Sequence, residues 1–229
     1  NGEINTRIRP KIHCFFPTKD TLNLPIVMHA PFLLTDSRQN IKENEEINKY
    51  LIEELSILAA EALPLLRDIG IENKKTLINE NILDIVPLSE TNRYHWYSNK
   101  ETETILLNLD LFFNSYLDII KSEELILGRN NEYLSVEQCR IANPINIQDF
   151  FSDEQLCLLT QDDNLSFVFP NISSKNEEKY DYLVEELDIE IISSEDIADY
   201  IKENTEFMQN QEDKWLHRFY SFLYSDAIK

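Results

Sequence analysis

Glycine is scarce in this chain of 229 residues, which contains only Gly2, Gly70 and Gly128. Glycine lets the backbone approach a phosphate closely, and the glycine-rich loops that bind nucleotide phosphates need several glycines within one short segment. The isolated glycines of this chain exclude such a loop. If the protein handles a nucleotide, we therefore expect the nucleotide pocket to lie outside these residues.

The chain also lacks the patterns of a metal site and of a membrane segment. Its cysteines and histidines are scattered, without the spacing of a zinc site, at Cys14, Cys139, Cys157, His13, His29, His95 and His217. We predict no metal ion, and we predict reduced, partly buried thiols of a cytoplasmic protein. No apolar run approaches the roughly 18 residues of a membrane span, and no basic-then-apolar leader opens the chain. The first residue is Asn1 rather than Met, which indicates a fragment of a longer polypeptide.

Basic residues are half as numerous as acidic ones. Lysine and arginine total 21 against 42 aspartate and glutamate, so the net charge is -21. Most of such a surface repels a phosphate backbone, and nucleic acid is therefore excluded as a direct partner. The exception is the start of the chain, where residues 1–43 carry six basic residues against four acidic ones: Arg7, Arg9, Lys11, Lys19, Arg38 and Lys42 against Glu3, Asp20, Asp36 and Glu43.

Apolar patterns in the first half predict a small sheet followed by a long helix. Ile12–Phe16 is rich in strand-forming residues and stops at Pro17, a polar loop follows at Thr18–Thr21, and Ile26–Leu34 predicts a second strand. A helix then begins near Asn44, with Thr35, Asp36 and Ser37 as alternative capping residues. Its predicted buried face recurs at intervals of three and four residues: Ile47, Leu51, Leu55, Leu58, Ala62 and Leu66. Pro64 should distort its last turn, and Gly70 should close it.

The second half predicts more helices and a hairpin. Thr104–Ile120 has the spacing of a buried helix, and residues 125–135 have the pattern of a hairpin with a tip at Gly128 to Asn131. Val136–Ala142 is predicted as a short helix or turn, and further predicted elements are strands at 166–169 and 189–192 and helices at 177–187, from 194, and near the C-terminus. Trp215, Phe219, Phe222 and Leu223 form the aromatic face of that last helix, which we expect to be core. The aromatic cluster Tyr94–Tyr97 fits either a ligand platform or a covered apolar patch.

These patterns predict an α+β fold with two domains. Residues 1–121 form a mixed first part with a sheet and a long amphipathic helix, and residues 122–229 form a mostly helical second part with a β-hairpin. No self-contained catalytic set is visible, because the many carboxylates lie on predicted helix faces.

One arginine lies at the junction between the second strand and the long helix. Arg38 follows the small polar residues Thr35, Asp36 and Ser37, and Lys42 lies a helical turn further on. An arginine suits a phosphate because its planar fork offers parallel donors and stays charged at any working pH. Two interpretations remain open: Arg38 is a solvent-exposed residue near a helix start, or it binds an anion held by another domain.

The segment Leu34-Thr35-Asp36-Ser37-Arg38-Gln39, followed by a long amphipathic helix, resembles the Asn-x-Ser-Arg-Glu loop in the middle domain of the HtpG-type heat-shock chaperones of the GHKL ATPase superfamily. The preceding segments, Phe16-Pro17-Thr18, Leu24-Pro25 and 29–35, are similar to the sacsin and NO VEIN branch of those ATPases. Specific resemblance covers residues 11–66. Gln39 replaces the glutamate of the family, Thr35 replaces its asparagine, and Lys42 stands in place of a glutamine.

The resemblance implies the middle, or transducer, region of an ATP-dependent chaperone or remodelling ATPase. Arg38 would then be the catalytic residue that senses the γ-phosphate, with Ser37 and Lys42 as further cofactor-binding residues. ATP and Mg²⁺ would be bound by an N-terminal ATPase domain that is missing here, so these residues alone would be inert. The implied partners are that domain and a client protein, with a possible homodimer of the full-length protein. The alternative function is an acidic protein–protein interaction module that binds through the aromatic C-terminal helix or Tyr94–Tyr97.

Overall fold

A computed structural model describes residues 8, 10–21, 24–42, 44–88, 109–170 and 177–226. The cluster Tyr94–Tyr97 lies outside these residues. The chain divides into two compact units, Asn1–Leu125 (unit 1) and Ile126–Lys229 (unit 2). The fold is α+β, with small sheets and mostly helical structure, as predicted.

Unit 1 begins with two antiparallel strands, β1 (Lys11–Cys14) and β2 (Phe16–Thr21). The turn is a single residue, Phe15, with a φ of 60°. The register shifts between Lys11 and His13, and the buried Thr18 fills this irregularity by donating a hydrogen bond from its hydroxyl to the Ile12 carbonyl at 2.8 Å. The prediction of a loop at Thr18–Thr21 was therefore wrong, because this polar side chain completes the strand pair instead of facing solvent.

The next segment, residues 24–34, is extended but is not a regular strand. His13 forms one parallel bridge with His29, in which the His13 amide donates to the Met28 carbonyl at 2.9 Å and the Ala30 amide donates to the His13 carbonyl at 3.2 Å. Pro25 and Pro31 carry no N–H donor, which limits a continuous ladder. The prediction of a strand over Ile26–Leu34 is corrected to an extended segment with single bridges.

Helix α1 (Glu46–Glu72) is the long helix of unit 1, and its buried face differs from the predicted one. The buried residues are Asn48, Ile52, Ser56, Ala60, Leu63 and Gly70. Ile47 and Leu58 of the predicted face are 47% and 60% exposed, and the other four are half-buried. The periodicity identified the helix correctly but selected the wrong face, because α1 is apolar on two sides. The helix also runs through Pro64 and past Gly70 to Glu72.

Helix α2 (Leu109–Ser122) packs against α1. The hydroxyls of Ser56 and Ser115 lie 3.2 Å apart at this contact, where both side chains are small. A short 3-10 helix at Ile82–Ile85 contributes buried Ile82, Leu83 and Ile85 to the unit 1 core. The predicted helix Thr104–Ile120 is confirmed from Leu109 onward, and residues 104–108 lie outside the described residues.

Unit 2 contains the predicted hairpin and a parallel sheet. Strands β3 (Ile126–Leu127) and β4 (Tyr133–Leu134) pair antiparallel. In the second sheet β5 (Cys139–Asn143) lies between β6 (Ser166–Phe167) and β7 (Ile191–Ser193), and both pairings are parallel. The prediction of a helix or turn over Val136–Ala142 is correct for the 3-10 turn at Val136–Gln138. It was wrong from Cys139 onward, where the chain forms β5. The central strand is too short to show a clear alternation of apolar and polar residues.

Helices connect the strands of unit 2 and complete its core. They are α3 (Asp153–Thr160), α4 (Glu177–Asp181) with a π turn at Tyr182–Glu186, α5 (Ser194–Glu203), α6 (Thr205–Gln209) and α7 (Asp213–Asp226). The aromatic face of α7 packs into this core, as expected: Phe219 is 1% exposed, and the Trp215 indole N–H donates to the Phe150 carbonyl at 2.7 Å.

Candidate functional site

The segment between the extended chain and α1 is a closed loop, residues 34–41. Leu34 and Ile41 form an antiparallel bridge at its base, and the Thr35 amide donates to the Asn40 carbonyl at 2.9 Å. The Lys42 amide donates to the Leu33 carbonyl at 2.8 Å. The loop is thus a small hairpin of its own, and the candidate residues Ser37 and Arg38 lie at its tip.

The tip is held by a tight turn and by one threonine side chain. The Arg38 amide donates to the Thr35 carbonyl at 2.8 Å, and Arg38 has a φ of 56°. The Thr35 hydroxyl donates to the Asn40 carbonyl at 3.2 Å and lies 3.1 Å from the Ser37 hydroxyl. Thr35 therefore crosses the loop and helps to fix its shape.

A buried asparagine on α1 ties the base of the loop to the helix. Asn48 is 2% exposed, and its amide group donates to the Leu33 carbonyl at 2.9 Å and to the Lys42 carbonyl at 2.8 Å. Its side-chain oxygen accepts from the Leu33 amide at 2.8 Å. One side chain in the first turn of α1 thus holds both strands that enter and leave the loop.

An aspartate on β2 holds the other side of the loop. The two carboxylate oxygens of Asp20 accept from the Asn40 side-chain amide at 2.8 Å and from the Ile41 backbone amide at 2.7 Å. The Lys19 amide also donates to the Gln39 carbonyl at 2.7 Å. The returning half of the loop is consequently bonded along β2, and only the tip is free of such contacts.

Arg38 differs from the other arginines that the structure describes. Three of them pair with carboxylates: Arg67 with Asp68 at 2.8 Å, Arg129 with Asp153 at 2.6 Å and Arg140 with Glu190 at 3.1 Å. Arg218 lies over the Phe150 ring, 5.5 Å from its centroid. Within the described ranges, the exposed Arg38 guanidinium has neither an ion pair nor a ring contact.

A pocket of about 650 Å³ lies beside the loop and includes Arg38 in its wall. Thr35 and Asp36 line it from the loop, and the other lining residues come from the β1–β2 turn and the extended segment: Cys14, Phe15, Phe16, Phe32, Leu33 and Leu34. Asp36 is the one carboxylate in this wall, so it offsets part of the arginine's charge. The pocket is large enough to admit a group that the guanidinium could bind.

Ser37 and Lys42, the other predicted cofactor-binding residues, do not line this pocket. The Lys42 ammonium pairs with Glu45 at 2.7 Å, and the hydrogen bond to this carboxylate, together with its charge, raises the pKa of Lys42. Lys42 therefore stays protonated, with the Glu45 carboxylate offsetting part of its charge. Ser37 is exposed, and its hydroxyl contacts Thr35.

Sequence reasoning missed two aromatic residues and two anchors. Phe15 and Phe16, predicted as the end of the first strand, are 78% and 80% exposed at the edge of the pocket. The Phe15 amide donates to the His29 ring at 3.1 Å, which holds this turn. Asn48 and Asp20 form hydrogen bonds to residues 15 to 21 positions away in sequence. The only detectable sign of these anchors was a polar residue, Asn48, within the predicted helix.

No family model matches this chain, and no curated protein or solved structure is significantly similar to it. The resemblance to HtpG-type chaperones and sacsin therefore stays a prediction. In the ranges that the structure describes, no group of three or more His, Cys, Asp or Glu side chains could hold a metal ion. Across the same ranges, no helix has both the length and the apolar character needed to cross a bilayer. The cysteines are unpaired, with Cys14 and Cys139 buried.

Proposed function

We propose that this chain supplies Arg38 to an ATP site on another domain, as the middle region of an HtpG- or sacsin-like ATP-dependent chaperone or remodelling ATPase of the cytoplasm. In this proposal the ATPase domain holds ATP and Mg²⁺, and Arg38 donates hydrogen bonds to the terminal phosphate. A cation placed there stabilises the negative charge that develops as the phosphoryl group is transferred.

The proposal rests on the Arg38 guanidinium, which has no partner among the residues that the structure describes. The chain carries twice as many acidic as basic residues, so a carboxylate partner is easy to find on its surface. Arg67, Arg129 and Arg140 all have one, and among the described arginines Arg38 has neither a carboxylate nor an aromatic partner. A free guanidinium keeps all of its donors available for an incoming anion.

The anchored loop supports the same role. Asn48 and Asp20 bond the two strands of the loop at its base, so the Arg38 backbone has little freedom when an anion arrives. A donor that is already in position costs little reorganisation during the reaction. Lys42 would have to leave Glu45 before it could contact a phosphate, so Arg38 is the principal residue and Lys42 contributes to the local charge.

The test uses the polypeptide that carries both this chain and the ATPase domain. We expect Arg38→Ala to lower ATP turnover about a hundredfold while ATP binding changes little, since loss of one preorganised donor costs about 3 kcal/mol in the transition state. Lys19→Ala, which removes a neighbouring exposed cation, is the matched control and should retain turnover. Unchanged turnover in Arg38→Ala would rule out the proposal.

The alternative, an acidic interaction module without a nucleotide role, would bind through the aromatic C-terminal helix or Tyr94–Tyr97. The aromatic face of α7 is packed into the unit 2 core and is not open to a partner. Tyr94–Tyr97, the other surface, lies outside the described residues. A different surface of unit 1 is better suited to a protein partner.

A further inference from the structure

Helix α1 carries a second apolar face that the described residues of unit 1 cover only in part. Six apolar residues recur at intervals of four, three, four, three and four: Leu51, Leu55, Leu58, Ala62, Leu65 and Ile69. We call these six residues the outer seam. Leu58, Leu65 and Ile69 are 60%, 63% and 49% exposed, and the other three are half-buried. This spacing is the heptad pattern that places one continuous seam of a helix against a partner helix.

A groove lies beside the middle of the outer seam and would receive side chains of such a helix. It has a volume of about 350 Å³ and lies between α1 and the extended segment Pro25–Met28. Leu55, Leu58 and Ala62 belong to both the seam and the groove, and the remaining lining residues are Pro25, Ile26, Val27, Met28, Ala59, Leu63, Leu66, Ile85 and Tyr116. Nearly all of this lining is apolar. Recognition of an amphipathic helix in an apolar groove has this form.

Tyr116 gives the groove one unsatisfied polar atom. Its side chain is fully buried, and its hydroxyl has no hydrogen-bond partner among the described residues. A buried hydroxyl without a partner costs free energy, so native structures usually supply one.

A row of acidic residues borders the outer seam on one side. Glu54, Glu61 and Asp68 each precede a seam residue, and all three are exposed. These are the flanking positions at which coiled coils select partners by charge. Asp68 is already paired with Arg67 at 2.8 Å, whereas Glu54 and Glu61 have no ion pair with any described residue and can meet a partner's cations.

We propose that the outer seam of α1 binds an amphipathic helix of a partner protein, with an apolar stripe flanked by lysine or arginine. A second copy of this chain is disfavoured, because it would bring its own acidic row and a net charge of -21. The surface lies apart from the Arg38 loop, and the proposal does not depend on the ATPase function.

Three labelled peptides of three heptads each provide the test, with binding to the whole chain followed by fluorescence anisotropy. The first has leucine at both seam positions and lysine at both flanking positions; the second replaces the lysines by glutamates; the third is a scramble of the first. We expect the first peptide to bind at least tenfold more tightly than the other two. The scramble has the same charge as the first peptide, so it controls for simple attraction to an acidic protein.

Variants of the chain locate the binding surface. Leu58→Asp combined with Leu65→Asp should weaken binding of the lysine peptide at least tenfold, since both side chains would lie in the interface. Leu158→Asp is the matched control, because Leu158 is 65% exposed on unit 2, and it should bind as the unaltered chain does. Glu54→Lys combined with Glu61→Lys should shift the preference toward the glutamate peptide. All five substitutions lie on exposed positions, so circular dichroism should show an unchanged fold.

Four results would overturn the proposal. They are equal binding of the lysine peptide and its scramble, no binding of the lysine peptide, full binding by the chain with Leu58→Asp and Leu65→Asp, and dimerisation of the unaltered chain that those substitutions abolish. The last result, seen by light scattering, would assign the outer seam to a second copy of this chain.

Discussion

Asn48 in the first turn of α1 and Leu33 in the extended segment bind each other twice. The Asn48 side chain donates to the Leu33 carbonyl at 2.9 Å and accepts from the Leu33 amide at 2.8 Å. The Asn48 side chain thus satisfies both backbone groups of Leu33, which a neighbouring strand would otherwise bond, although Asn48 belongs to a helix. The position of the Arg38 loop therefore depends on a residue that no anion would touch.

Asn48→Ala should destabilise unit 1 by about 2 to 3 kcal/mol, because it leaves the part-buried Leu33 amide and Lys42 carbonyl without the partner that Asn48 supplies, while the Leu33 carbonyl keeps only the Lys42 amide. Urea unfolding followed by circular dichroism measures the loss. Asn73→Ala is the matched control, since Asn73 is exposed and bonds only within the end of α1. A loss at Asn48 no larger than at Asn73 would contradict the anchoring role.

Arg38→Gly should leave the chain equally stable or stabilise it by up to about 1 kcal/mol, although it removes a whole side chain. A φ of 56° is strained for arginine and free of strain for glycine, and this gain outweighs the added entropy of the unfolded chain. Ser37→Gly, next to it without a positive φ, should instead cost about 0.5 to 1 kcal/mol. Thermal unfolding of the two variants measures the change in stability that each substitution causes. A marked loss with Arg38→Gly would mean that the arginine side chain has a structural partner.

Cys139 should resist alkylation by iodoacetamide at pH 8 until the chain unfolds. Burial raises the pKa of this thiol from 9.0 to about 12, and its thiol group lies 3.2 Å from the Ser135 carbonyl. The half-buried Cys157 should react first. Chains that keep a single cysteine, read by mass spectrometry, give the order directly, and rapid labelling of folded Cys139 would contradict it.

The same thiol adds a pH dependence to stability. Above pH 9 the unfolded chain ionises at Cys139 while the folded chain does not, so the contribution of this group falls as the pH rises from 9 to about 12, by about 1.4 kcal/mol per unit. Below pH 9 the contribution is constant. The difference in unfolding free energy between the unaltered chain and Cys139→Ala should follow this course, and a difference that is flat up to pH 11 would contradict it.

Local patterns identified most elements of the fold. The hairpin at residues 125–135, helix α1, the core helix beginning at Leu109 and the aromatic face of α7 all follow from apolar spacing and turn residues that lie close together in sequence. The central strand β5 does not, because its pairing with β6 and β7 involves residues more than 20 positions away. The buried residues of α1 were predicted wrongly because the helix has two apolar stripes, and spacing alone cannot tell which of them packs against the core.

The candidate site was only partly accessible from sequence. Arg38, Ser37 and Lys42 were selected by residue type and position, yet their different surroundings depend on contacts that spacing does not encode. Lys42 meets Glu45 three residues further along the chain, whereas Arg38 meets no carboxylate among the described residues, despite the abundance of acidic residues in the chain. The anchors Asn48 and Asp20 are set by the tertiary fold and became visible only with it.

The left-handed backbone at Arg38 limits which residue types fit at this position without strain. At a φ of 56°, glycine and asparagine fit the backbone better than arginine. If the arginine side chain had no function, substitutions to these two residues would therefore be favoured. An arginine that persisted at this position across natural variants would have been retained for its side chain, against the preference of the main chain. The residues found at position 38 in natural variants therefore indicate whether the guanidinium has a function.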